Sequence, residues 1–205
     1  MTEQGPGYND DALLWGINRS ALERMVWNLI GFIRYADVAR PKRCADIGTP
    51  NPKMELLKEF MELDVTQVVA PDFNFAVLDE GAQYDAVFCF EVIEHLQNPM
   101  WFMREVRELM APGGVLYLST PSNPRCLKYD YHFHEMSRSM LETWILRPLG
   151  LHIVRHRRFN FVNNWRAALI GVRPLLRALR TWDFRPILWG FIQVNNFYEI
   201  RRDAD

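Results

Sequence analysis

The chain predicts a doubly wound, mostly parallel α/β sheet, and three observations predict it. Residues 84–90, YDAVFCF, are apolar after Asp85 without alternation, the pattern of a central strand covered on both faces. Residues 99–109 then carry Trp101, Phe102, Val106 and Leu109 at helical spacing, with Arg104, Glu105, Arg107 and Glu108 on the wet face. After Pro112-Gly113-Gly114 stops that helix, residues 115–119, VLYLS, read as a second apolar strand. Sheets of this kind bind ligands beyond the carboxyl ends of their strands. Glu91, Glu94 and His95 fall at that edge.

The other elements follow in chain order. Residues 20–36 place Leu22, Met25, Val26, Leu29, Ile30 and Ile33 at helical intervals with Arg24 and Arg34 opposite, which predicts a covering helix. Residues 43–48, RCADIG, predict the first strand and its exit. Asn51 as N-cap and Pro52 at the first helical position start a helix over 54–63. A second strand is expected over 65–70. Only residues 71–83 then remain before Tyr84, too few for a helix, a strand and their connections, since a crossover with its helix takes ~10–12 residues. The third βα unit is therefore expected to be abridged, with 73–78 at most a short edge strand. Asn98 and Pro99 start the central helix, and Ser137 and Arg138 another.

Residues 149–154 predict a further strand, in whose region His152 and His156 read as structural. Gly171, Pro174 and Pro186 divide 163–189 into two short helical pieces. Residues 191–200 predict a last strand, pairing antiparallel at the sheet's edge. Trp144 and the other tryptophans are expected in the core. The whole reads as one domain over 1–205: a covering helix in 1–40, an α/β core in 41–160, and a basic helical insertion with the final strand in 161–205.

Composition fits one such domain. A chain of 205 residues, 49% hydrophobic, can bury a full core. Residues 1–11 are polar and glycine-bearing, unlike a signal peptide. The longest apolar run, 25–33, is interrupted by Asn28 and Gly31 and falls short of the ~20 residues of a membrane span. Three cysteines, Cys44, Cys89 and Cys126, suit a reducing, cytoplasmic setting. Charge is asymmetric: residues 1–124 hold 10 Lys+Arg against 18 Asp+Glu, and residues 125–205 hold 14 against 7. Arg155, Arg157, Arg158, Arg166, Arg173, Arg177, Arg180 and Arg185 supply most of the basic excess. Two readings stand for residues 155–185, a solvated helix face or a peripheral contact with a membrane or other anionic partner. A nucleic-acid partner is not expected.

The run D-x-V-x-x-x-E-V-I-E-H-L-x-N-P followed by P-G-G-x-L-Y-L-S-T-P resembles the fourth strand through the fifth strand of class I S-adenosylmethionine-dependent methyltransferases, a Rossmann-like fold. Looser likeness extends to Asp46 and Gly48 after the first strand and to residues 149–154, so it covers roughly 20–160. The resemblance implies S-adenosylmethionine as cofactor. Carried onto this chain, Asp46, Gly48, Thr49, Asp72, Phe90 and Glu91 would meet it, Asp72 through the ribose hydroxyls unless it is only a loop aspartate. One departure bears on this. Where the family reads D-x-G-x-G-x-G, this chain reads Asp46-Ile47-Gly48-Thr49-Pro50-Asn51-Pro52. Proline fixes φ and removes an amide donor, so the loop offers fewer N–H groups, or serves only to turn the chain into a helix.

Positions i, i+3 and i+4 share a face of a helical turn, so Glu91, Glu94 and His95 are expected to converge. His132 and His134 follow the fifth strand, in a loop at the ligand edge. The combination resembles metal-dependent O-methyltransferases of the class, including those of ubiquinone biosynthesis and of small-RNA 3′ ends, in which E-x-x-E-H and a later histidine hold a divalent ion. The implied ligands are Glu91, Glu94, His95 and His132, for Mg²⁺ or Mn²⁺. The alternative is that no metal binds and Glu94 or His95 orients loops or acts as a base.

The implied activity is methyl transfer to an oxygen of a small-molecule or glycan-type acceptor, with Glu91, His95 and His132 at the reaction centre. Two contrasting functions are a methyltransferase-like partner or scaffold subunit without catalysis, and an anionic-surface binding module.

Overall fold

The computed structural model describes residues 19–34, 43–78, 81–122, 131–159 and 195–203. The predicted helical pieces of 163–189 and residues 166–185 of the basic stretch lie outside them. Among the described residues six strands form one sheet: β1 (Cys44–Ile47), β2 (Val65–Val68), β3 (Tyr84–Phe90), β4 (Met110–Pro121), β5 (Leu151–Phe159) and β6 (Asn195–Arg202), in the order β2-β1-β3-β4-β6-β5. The β2-β1, β1-β3 and β3-β4 pairs are parallel; β4-β6 and β6-β5 are antiparallel. Because β2 lies on one side of β1 and β3 on the other, the chain reverses direction across the sheet between β1 and β3. That is the switch point where such sheets open a crevice.

Two layers cover the sheet. On one face α1 (Arg19–Arg34) and α2 (Pro52–Met61) pack Val26, Leu29, Ile30, Met54 and Leu57 against Ala86, Phe88, Tyr117 and Phe197. On the other, α3 (Pro99–Leu109) packs Phe102, Met103 and Val106 against Val87, Cys89, Leu116 and Leu118. A later helix joins that face; it starts at α4 (Arg138–Met140), continues as a π-helix over Leu141–Leu146 and closes in a 3₁₀ turn, Arg147–Leu149. The helix starts follow side-chain chemistry. Asn51 Oδ1 accepts from Met54 N at 3.0 Å, Asn98 Oδ1 from Trp101 N at 3.3 Å and Ser137 Oγ from Met140 N at 3.3 Å. Glu62, in the left-handed region at φ 53°, closes α2 with its N–H on Lys58 O.

The third βα unit is abridged as expected, and does not reach even the short edge strand allowed over 73–78. Residues 73–75 form a turn, with no strand, and the segment is clipped to the start of α3. Asn74 Oδ1 accepts from Gln97 N at 2.7 Å and Asn98 N at 2.9 Å, while Trp101 Nε1 donates to Ala76 O at 3.2 Å. Phe73 meets Phe102 edge-on at 5.6 Å. A handful of local bonds thus replaces a whole crossover.

Three other expectations need correction. The last strand is antiparallel but interior, since β6 pairs with β4 and β5 at once and residues 195–200 are all buried. The edge falls to β5, whose Arg157 and Arg158 are exposed and suit an edge that must not recruit further strands. Trp144 is 66% exposed and Trp27 53%, so neither belongs to the core. Arg155 is no surface cation: its Nε donates to Glu199 Oε2 at 2.5 Å, its Nη2 donates to Phe32 O, and it lies over the Phe32 ring, tying α1 to the sheet. His152 pairs with Asp203, and His156 bonds Asn196 and stacks on Tyr198, both structural roles. Among the described residues no helix is long and apolar enough to cross a membrane.

Candidate active site

Beyond the carboxyl end of β1, Gly48 has φ 123°, and a Cβ there would meet Val92 Cγ2 at 3.1 Å, so only glycine fits. Its N–H donates to Val68 O at 3.0 Å. Gln67 then clasps the turn from β2: its Nε2 donates to Asp46 O, Asp46 Oδ2 and Gly48 O at 3.1, 3.1 and 2.8 Å. Asp46 is 1% exposed and its Oδ1 has no hydrogen-bond partner. Burial pushes this carboxyl up from 3.8 to about 6, against the Gln67 bond and the Lys58 charge. Thr49 and Pro50 are exposed. Asp72 lies past β2 in an Asx turn, with Oδ1 accepting from Asn74 N and Nδ2, both at 2.8 Å.

Glu91 and Glu94, expected on one face, are separated. Glu91 takes φ 58°, the left-handed region that a non-glycine residue seldom enters. Strand alternation would align it with Val87 and Cys89, but this backbone turn sends its side chain to the other face. There Ser119 Oγ donates to Oε1 at 2.5 Å and Asn195 Nδ2 donates to Oε2 at 2.8 Å. Phe90 is 5% exposed and packs on Phe88 and Phe197, so its side chain belongs to the core and its backbone is what it presents at the edge.

Glu94 turns the other way, on the 3₁₀ turn Ile93–His95. Its carbonyl accepts from Phe133 N at 2.8 Å and His134 N at 3.2 Å, which pins the loop after β4 over the turn. Glu94, His95 and His132 each bring one ligand atom within 4.8 Å of the others; Glu91 and His134 are not in that group. His95 Nδ1 lies 3.3 Å from Tyr131 O, and a carbonyl can only accept, so Nδ1 carries the proton. Nε2 is then the ring nitrogen that faces Glu94 Oε1, at 4.0 Å. His132 Nδ1 is held by Glu135 Oε1 at 2.7 Å. Burial, and next the charge of Glu91, push the Glu94 carboxyl well up.

Residues 15–168 match the sequence pattern of a methyltransferase domain family. The chain belongs to that family. It is a class I S-adenosylmethionine-dependent methyltransferase domain. A ubiquinone biosynthesis O-methyltransferase of Ruegeria pomeroyi is 25% identical over 151 residues, 71% of this chain and 54% of that protein. The mitochondrial ubiquinone biosynthesis O-methyltransferase of Dictyostelium discoideum is 40% identical over 81 residues, 38% of this chain and 23% of that protein. The chain thus spans about half, or less, of the length of these relatives. In fold it is similar to a sarcosine dimethylglycine methyltransferase structure from Galdieria sulphuraria, with TM-score 0.58 at 11% identity over 88% of this chain and 86% of that one. A Haemonchus contortus N-methyltransferase solved with S-adenosylhomocysteine gives TM-score 0.56 at 13% identity, over 87% of this chain and 53% of that one.

Gln67, Ser119, Glu135 and Asn195, which hold the candidate residues in place, were missed by sequence reading. Gln67 had one signal, a long amide inside the four-residue strand VTQV. Asn195 had none, because it reaches Glu91 across 104 residues of sequence.

Proposed function

We propose that this methyltransferase domain moves the methyl group of S-adenosylmethionine to a hydroxyl oxygen of a small-molecule or glycan-type acceptor, with a divalent ion at Glu94, His95 and His132. The carrying observation is the convergence of one carboxylate and two imidazoles within 4.8 Å. The donor set fits a divalent ion. Glu94 Oε2 is buried without a hydrogen-bond partner, and Tyr131 O and Glu135 hold the Nδ1 atoms of the two histidines, as outer-shell partners of ligating imidazoles do. A divalent ion there would polarise the acceptor hydroxyl and favour its deprotonation.

The protein's own residues do the rest. Gln67 and Gly48 shape the turn after β1 on which the cofactor rests, and the exposed rings of Tyr131 and Phe133 stand at the mouth of the histidine cluster as an apolar approach for the acceptor. His95 would give Nε2 to the ion while Nδ1 keeps its proton on Tyr131 O, so the acceptor proton passes to solvent. That its ubiquinone-biosynthesis relatives are O-methyltransferases favours oxygen as the nucleophile.

The test is transfer of radiolabelled methyl from S-adenosylmethionine to catechol and to simple glycosides, with and without Mn²⁺. Label on a catechol oxygen that rises with Mn²⁺ is expected. Label appearing only on amine acceptors would overturn the oxygen assignment, and turnover unchanged by Mn²⁺ or by a chelator would remove the ion.

A further inference from the structure

Of the sheet's two edges, only one is defended. β5 carries exposed Arg157 and Arg158, while β2, Val65-Thr66-Gln67-Val68, has no charged residue and no proline. Edge strands are ordinarily blunted by such residues, because an open row of N–H and C=O groups recruits further strands. Gly48 N donates to Val68 O at 3.0 Å, and in this parallel ladder the N–H and C=O of one residue face the same neighbour, so Val68 and Thr66 are turned to β1. Val65, Gln67 and Val69 are therefore turned outward, and among the described residues nothing bonds their backbone groups. Residues 71–78 supply no strand beyond β2; Phe73 and Leu78 instead pack on the same core as Val68. Val69, Phe75 and Val77 are left well exposed.

Charge decides what this edge admits. Residues 59–78 carry Glu59, Glu62, Asp64 and Asp72, all exposed, and no Lys, Arg or His. Lys58, just before them, is paired with Glu55 at 2.9 Å. Arg104 lies over Trp101, whose Nε1 bonds Ala76 O, and is paired with Glu105 at 3.3 Å. A second copy pairing β2 to β2 would set acids against acids, which is destabilising, whereas a strand bearing Lys or Arg meets them favourably. We propose that the β2 edge takes up an extended, Lys- or Arg-bearing segment of another protein as an added strand. The outward backbone groups of Val65, Gln67 and Val69 bond it, and the acids flanking β2, Asp64 before it and Asp72 after it, select its charge. Main-chain bonds supply the affinity of such a contact, and flanking charges the choice of partner.

Short fluorescein-labelled peptides test it: one alternating Lys and Val, one alternating Glu and Val, and the Lys-Val peptide with alternate backbone amides N-methylated. Fluorescence anisotropy on the full chain is expected to show the Lys-Val peptide binding at least about tenfold more tightly than either control, which lacks the charge match or the main-chain bonds. Val69→Pro, which removes one outward N–H at an exposed position, should weaken the Lys-Val peptide about fivefold, and Asp64→Lys about threefold. The N-methylated peptide reads the same bonds without altering the fold. Amide exchange followed by nuclear magnetic resonance should show Val65, Gln67 and Val69 slowed at least about tenfold by the Lys-Val peptide, with Thr66 and Val68 little changed. Equal binding of the Lys-Val and N-methylated peptides would overturn the added strand, and equal binding of the Lys-Val and Glu-Val peptides would overturn its charge. Strong protection of Val65, Gln67 and Val69 in the free protein would mean that this chain or a second copy already covers the edge, and would overturn the proposal as well.

Discussion

Asp46→Asn is expected to stabilise the folded domain at pH 8 and to weaken cofactor binding in the same protein. The Asp46 carboxyl sits at about 6 in the folded chain against an ordinary 3.8. A folded-state value raised in this way contributes stability that is full below pH ~4 and lost as pH rises through about 6, because the folded state then holds an ionised carboxylate it solvates poorly. The gap between 3.8 and about 6 corresponds to about 3 kcal/mol. Asparagine cannot ionise and can still accept from Gln67. Urea denaturation from pH 4 to pH 8 should therefore show the variant gaining up to about 3 kcal/mol at pH 8 and nothing at pH 4. A loss of stability equal at every pH would show that the carboxylate is fully compensated in the fold. The coupling of a stability cost to a binding role is the usual mark of a functional polar group under cover.

Glu94→Ala is expected to lower Mn²⁺ affinity by at least about 100-fold, since it removes the one anionic ligand of a three-residue set. Glu91→Gln should change Mn²⁺ affinity far less, by a few-fold at most, because Glu91 acts on Glu94 only through its charge and lies with Ser119 and Asn195 outside that set. Mn²⁺ electron paramagnetic resonance on both variants reads this directly. Equal Mn²⁺ binding in the wild type and Glu94→Ala would remove the ion from the site, and a matching loss in Glu91→Gln would mean that the two carboxylates act together after all.

Much of the fold was legible because local chemistry writes it. Asn51, Asn98 and Ser137 announce helix starts through bonds that span three residues. The unalternating run ending at Phe90 announces a strand buried on both faces, and residues 71–83 are too few for a full crossover. The site was legible in part for the same reason. Glu94 and His95 are neighbours, and His132 lies soon after β4, whose own position is set by its pairing with β3.

What could not be read is what depends on one backbone torsion or on distant chain. Helical spacing put Glu91 beside Glu94, but the left-handed backbone at Glu91 cancels that periodicity and hands its carboxylate to β4 and β6. No spacing rule places Asn195 opposite residue 91, and none says whether the last strand will close the sheet from its edge or enter between β4 and β5. The edge went to β5 because its charged side chains tolerate water and those of β6 from Asn195 to Ile200 are buried. Trp144 failed as a core residue because apolarity is a one-way guide to burial.

The central claim is that the crevice between β1 and β3 receives the cofactor although prolines replace glycines in its turn. A crystal structure of the domain with S-adenosylhomocysteine at saturating concentration tests it most directly. The ligand is predicted to lie past the carboxyl ends of β1 and β3, between Gly48 and Glu91. Density for residues 49–52 lying across that crevice, with the ligand bound elsewhere or not at all, would contradict it.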